Sequence, residues 1–199
     1  MAEEALYKLN QIVDNPRFKG FAFVRDESLR GKGSLTSDFS PDDVKEKGRS
    51  WTVTRMAPTW EPQPVIGRVR PQNDYPCVNL TIPAFSRKAV DALRDFLEPN
   101  GELLPLVSSV GEYYAYNVTS VVDILDLDRS DIQWFSGPRV LAIHIRRYEC
   151  LPGRLEGLSI FRIVEDSATP YVTQVFVDRV KENGLQGFDV LKLWPHDGE

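Results

Sequence analysis

SRKAVDALRDFLEPNGELLPLVSSVGEYYAYNV, residues 86–118, passes from one helix into two strands within a single stretch, and its reading decides the fold class. Ser86 stands where a helix N-cap belongs, and Ala89, Val90, Leu93, Phe96 and Leu97 fall on one face of the helix that follows. Pro99-Asn100-Gly101 ends it. Glu102 to Val107 and Glu112 to Val118 then read as a hairpin or as neighbouring strands across a Ser-Ser-Val-Gly turn, with Pro105 near an edge or a bulge.

The same signals continue downstream. Val140 to Ile145 is a continuous apolar run suited to a strand covered on both faces, and is the sequence's candidate for the centre of the sheet. Ser159 to Val164 is a short strand. Thr173 caps a second helix, with Val175, Phe176 and Val180 inward and Gly184-Leu185 closing it. Gly187 to Trp194 is the last strand. Upstream, Val78 to Ile82 alternates as a strand, and two short strands are expected around Leu6–Val13 and Phe18–Val24. Between them, Pro58, Pro62, Pro64, Pro71 and Pro76 deny backbone donors to a central element, so this stretch reads as connector and edge structure; Trp51 and Trp60 argue that it docks. Runs of strands with two principal helices predict an α+β fold with a mainly antiparallel sheet. The predicted organisation is an N-terminal part, 1–73, packed on an α+β domain, 74–199.

With 42% hydrophobic and 27% charged residues in 199, the chain has the profile of an ordinary globular domain, able to bury roughly 70% of its unfolded surface without a staple. Cys77 and Cys150 are far apart and form no metal-ligand spacing, which predicts reduced, partly buried thiols in a cytosolic compartment. The start, MAEEALYKLN, has no basic stretch leading into an apolar run, so neither secretion nor membrane spanning is expected. Residues 1–73 carry 12 basic and 10 acidic side chains and residues 74–199 carry 12 and 19, net charges of +2 and −7. Such an acidic second part repels nucleic acid and attracts basic partners.

Catalytic motifs are absent from the sequence. Gly31-Lys32-Gly33 lacks the third glycine and the preceding strand of a nucleotide loop and reads as a flexible loop. There is no GxSxG, HExxH or Walker sequence. His144 lies in an apolar run and reads as a buried structural residue; His196 reads as part of a frayed tail. The cluster Asp123, Asp126, Asp128 and Asp131 fails as a calcium loop, because Asp131 falls where glycine is needed and Gly137 where a bidentate glutamate belongs. It reads either as a solvated turn or as a negative surface offered to a basic partner. Arg146-Arg147-Tyr148 is a weak nucleic-acid patch and reads as surface arginines. Alternation puts Tyr114 and Tyr116 on one face and Tyr113 on the other, as packing residues.

From Asp74 onward the order of elements resembles a known family. The succession Ser86-Arg87-Lys88-Ala89, Gly101-Glu102-Leu103-Leu104-Pro105, Glu112 to Val118, Val122 to Asp126, Ile160-Phe161-Arg162, Tyr171-Val172-Thr173 and Val180 through Phe188 is similar to an immunity-protein family of bacterial polymorphic toxin systems, first catalogued as a domain of unknown function. The resemblance covers roughly residues 74–194. It implies a cytoplasmic, non-enzymatic protein that binds and neutralises a cognate toxin encoded next door, often nuclease-like, with no cofactor and no transferable catalytic residue. Asp123, Asp126, Asp128 and Asp131 are the expected contact surface, since negative groups speed capture of a basic toxin. Two rivals remain: a small metal-assisted hydrolase using the acidic cluster, and an adaptor domain.

Overall fold

The computed structural model describes residues 4–24, 52–135 and 141–196. Gly31-Lys32-Gly33 and Trp51 lie outside them. Among the described residues, two five-stranded sheets and a separate hairpin carry the strands, and two helices pack between the large sheets. The fold is α+β. Sheet one has the order β12 (Phe188–Trp194), β1 (Leu6–Gln11), β11 (Asp166–Thr173), β10 (Ile160–Ile163), β7 (Val121–Val122). Sheet two has the order β2 (Phe21–Phe23), β3 (Gln63–Gly67), β5 (Gly101–Val107), β6 (Tyr113–Val118), β4 (Ala84–Ser86). β8 (Asp131–Trp134) and β9 (Ala142–Arg147) pair with each other as a two-stranded sheet. The pairs β7–β10 and β3–β5 are parallel and the other ladders antiparallel, so both large sheets are mixed.

Helix α1 (Arg87–Asn100) starts where Ser86 leaves the strand region and its Oγ accepts the N–H of Ala89 at 3.1 Å. Ala89, Val90, Leu93 and Leu97 are buried, while Arg87–Asp91 and Arg94–Glu98 pair four residues apart on the wet side. Each fully buried leucine on this face contributes about 2 kcal/mol by removal of apolar surface from water. Asp74 holds the helix start in place: its Oδ1 accepts the Ser86 hydroxyl at 2.6 Å and its Oδ2 accepts the N–H of Gln186 at 2.9 Å.

Helix α2 (Gln174–Glu182) buries Phe176, Val177 and Val180. Val175, expected inward, is 42% exposed, because Val177 takes its place on the inner face. Thr173 precedes the helix, but its hydroxyl donates to Leu158 O instead of accepting a helix N–H. The C-terminus closes as expected. Gly184 takes φ +56°, its N–H bonds to Lys181 O, and Leu185 N–H reaches Val180 O, the paired bonds of a Schellman turn. Arg179 lies 4.5 Å from the centre of the Phe96 ring and bonds Asp95, which joins the two helices.

The main core cluster draws on both helices, on Leu9, Ile160 and Val172 of sheet one, and on Phe85, Tyr116 and Val118 of sheet two. A second fills the far face of sheet one beneath Ile124, Leu125, Ile145, Tyr148, Cys150 and Leu155, and a third the far face of sheet two around Phe21, Val65 and Leu104. Tyr116 and Tyr114 face the first cluster and Tyr113 the third, as alternation predicts.

Three further expectations are corrected by the fold. Val78 to Ile82 is not a strand but a tight turn closed by paired bonds between Val78 and Ile82, with Asn79 at φ +51° and Leu80 at φ +71°. The apolar run read over 140–145 is not the sheet centre: among the described residues β9 pairs only with β8, Ile143 is 57% exposed and His144 is exposed rather than buried. The proline-punctuated segment does supply an interior strand. β3 reconciles this by pairing with β5 through Gln63 and Pro64 and with β2 through Val65 to Gly67, so Pro64 sits at the end of a short ladder. Glu102 ties this segment down by accepting the N–H groups of Met56 and Ala57 and the amide of Asn117.

Candidate functional site

The four aspartates lie along one stretch, between β7 and the start of β8, but do different work. Asp126 Oδ1 accepts the N–H groups of Asp128 and Arg129 at 3.1 and 3.3 Å, so this carboxylate builds the turn. Asp131 pairs with Arg146 at 3.4 Å. Asp123 and Asp128 are exposed. Arg129 stands within the same stretch, and Arg147 and Arg129 both approach the buried carboxylate of Glu149, at 2.9 and 3.8 Å. The surface is therefore one of interleaved sign, with Asp123, Asp128 and Asp131 as its exposed carboxylates. His196 is anchored rather than frayed: its Nε2 lies 3.0 Å from Tyr148 O and 3.9 Å from Glu149. Among the described residues, no three His, Cys, Asp or Glu side chains are grouped to hold a metal.

One cavity of about 470 Å³ opens between β9 and the outer face of sheet one, with His144, Tyr148, Asp166, Ile143 and Leu191 on its walls. Asp166 accepts the hydroxyl of Tyr171 at 2.9 Å and the N–H groups of Ala168 and Thr169, and Tyr171 lies 3.2 Å from the Tyr148 hydroxyl. Burial is the first cause that pushes both phenols up. These hydroxyls are neutral donors fixed in a chain behind the cavity wall.

A second cavity, of about 390 Å³, has its origin in the sequence of β11. β1 pairs with β12 along its whole length but with β11 only through Leu6, Tyr7 and Lys8, opposite Thr173, Val172 and Tyr171. The next place in register belongs to Pro170, which has no N–H to give. The strands part there, and the cavity occupies the split. Tyr75, Cys77 and Leu80 close its other side. Burial pushes the thiol of Cys77 up to about 12, and burial likewise pushes Cys150 up to about 12, so neither is a nucleophile near neutrality.

Leu80 is the residue that pattern reading misses. It is 67% exposed, and Val13 across the cavity is 54% exposed. A left-handed backbone costs a side chain with a Cβ roughly 1–2 kcal/mol relative to the right-handed form, and glycine avoids that cost. The Asn79-Leu80 pair carries no glycine to announce a turn, and alternation of Val78, Leu80 and Ile82 imitates a strand. The local sequence signal for the parting of β1 and β11 is Pro170 itself, a residue with no backbone donor.

No protein-family model matches the chain, and no curated protein matches it in sequence. Among the described residues, no helix is long and apolar enough to cross a membrane.

Proposed function

We propose that this chain is a non-enzymatic immunity protein that neutralises a cognate bacterial toxin domain by stoichiometric binding in the cytoplasm. The observation that carries the reading is the order of short elements from Asp74 to Trp194, similar to that immunity-protein family. The residues of that pattern belong to one connected scaffold: Asp74 joins Ser86 to Gln186, Leu97 O accepts the Tyr116 hydroxyl, and Gly184 closes α2 before β12. A rigid scaffold of this kind suits a preorganised inhibitor, because little ordering entropy is then spent on association. Asp123 and Asp128, with the net charge of −7 over residues 74–199, favour encounter with a basic toxin surface.

The test is co-expression with the C-terminal domain of the toxin-like protein encoded beside this one, followed by purification at moderate salt. A stoichiometric complex and loss of toxin activity are expected. Failure with a folded, soluble toxin domain sinks the reading.

A further inference from the structure

We propose that the split between β1 and β11, with Leu80 held out at its lip, is the seat for an extended segment of the partner protein; the proposal rests on the binding-protein reading and names its contact surface. Three independent features meet there. Among the described residues, the pairing of β1 with β11 ends at Lys8, before Pro170, so the Leu9–Gln11 edge of β1 borders the cavity with no strand laddered to that side. The turn at Asn79-Leu80 keeps a leucine in the left-handed region, at φ +71°, and spends that strained position on a side chain facing water rather than core. Val13, also exposed, completes an apolar lip with it.

Charge defines the occupant. Lys8 and Asp189 line the same cavity, and neither is ion-paired among the described residues. An extended segment that hydrogen-bonds along β1, sets an apolar side chain on Leu80 and Val13, and carries an acidic and a basic residue for Lys8 and Asp189 satisfies all of these groups at once. Glycine at position 80 would suit the backbone better, so the leucine is explained by contact and not by folding.

The experiment pans a phage-displayed random-peptide library against the wild-type chain and measures selected peptides by calorimetry against Leu80→Gly and Leu80→Asn. Both substitutions suit a left-handed turn and remove the apolar knob. The expected result is that selected peptides bind either variant at least about tenfold more weakly than wild type. The variants' unfolding midpoints should equal or exceed that of wild type, and bound peptide should slow amide exchange at Leu9 to Gln11. Failure to select any peptide, equal binding by the variants, or a lowered midpoint in both overturns the proposal, the last by making Leu80 a structural residue. The two readings separate cleanly. A toxin domain that binds Leu80→Gly as tightly as wild type removes this site and leaves the immunity function; peptides that bind here while the toxin domain does not remove the immunity function and leave the site.

Discussion

Asp74 and Ser86 form a relay at the head of α1: Ser86 Oγ donates to Asp74 Oδ1 at 2.6 Å and itself accepts the N–H of Ala89 at 3.1 Å. The Asp74 carboxylate is buried, and its other oxygen receives Gln186 N–H with Lys88 at 3.6 Å. One side chain thereby joins the first helix to the turn that precedes the last strand.

Replacing Asp74 by Ala removes two buried bonds to a charged acceptor and leaves the Gln186 N–H without its carboxylate, so a loss of about 3 kcal/mol is expected. Ser86→Ala removes the cap at about 1–2 kcal/mol. Because the two residues touch, the double variant should lose less than the sum of the singles in urea unfolding. Strict additivity would show that the relay is not an energetic unit.

Gly187 has φ +94°, and a Cβ there would lie 2.0 Å from Asn73 Oδ1. Asn73 is fully buried and is itself committed, accepting Tyr75 N–H and donating to Lys19 O. Gly187→Ala is expected to cost about 3 kcal/mol or more, combining backbone strain with overpacking. Chemical denaturation measures it, and a cost under about 1 kcal/mol would mean that this turn relaxes freely.

The thiols set a pH dependence. Cys77 and Cys150 are raised by burial from 9.0 to about 12, so in this window the unfolded chain releases thiol protons that the folded chain retains. The thiols' contribution to folded-state stability is therefore full below pH 9 and is lost as pH rises towards 12. Native protein should resist alkylation at pH 8 and react at both cysteines once unfolded. Rapid labelling of the native protein would contradict their burial.

Charge reversal at Asp123 and Asp128 together should slow association with the toxin domain roughly tenfold at low salt, with the difference shrinking as salt screens it. Asp126 behaves differently. Since it builds its own turn, Asp126→Lys should disturb the local fold as well as the encounter. Stopped-flow association at two ionic strengths distinguishes these outcomes, and unchanged rates in the double variant remove this surface from the interface.

What could be read from sequence was what is local. The cap at Ser86, the apolar face through Leu97, the Gly184-Leu185 closure and the β5–β6 hairpin depend on neighbours a few residues apart, and all are found. The expected division at residue 73 says nothing of the strand partners across it: β1 lies between β12 and β11, pairings separated by most of the chain. The run at 140–145 misled because apolar density does not by itself mean burial: β9 belongs to a two-stranded hairpin beside a cavity, with Ile143 57% exposed and Ile145 buried. The Val78–Ile82 alternation misled because period two is shared by a strand and by a turn whose central residues are left-handed. The sequence offered Asp123, Asp126, Asp128 and Asp131 as a contact surface, of which Asp126 builds its own turn; Leu80 and the parting of β1 from β11, a separate place, required coordinates.

The position of β1 also orders events during synthesis. The segment from Ser86 to Val118 contains α1, β5 and β6 as near neighbours and can begin to organise as soon as it leaves the ribosome. β1 is made first but cannot be flanked until β11 and finally β12 have emerged, so sheet one closes only around Trp194. Throughout that interval Leu6 and Leu9, both buried in the finished protein, wait without partners in their sheet. Nascent chains stalled before Phe188 should therefore be the aggregation-prone species, a burden that falls on chaperones rather than on the native fold.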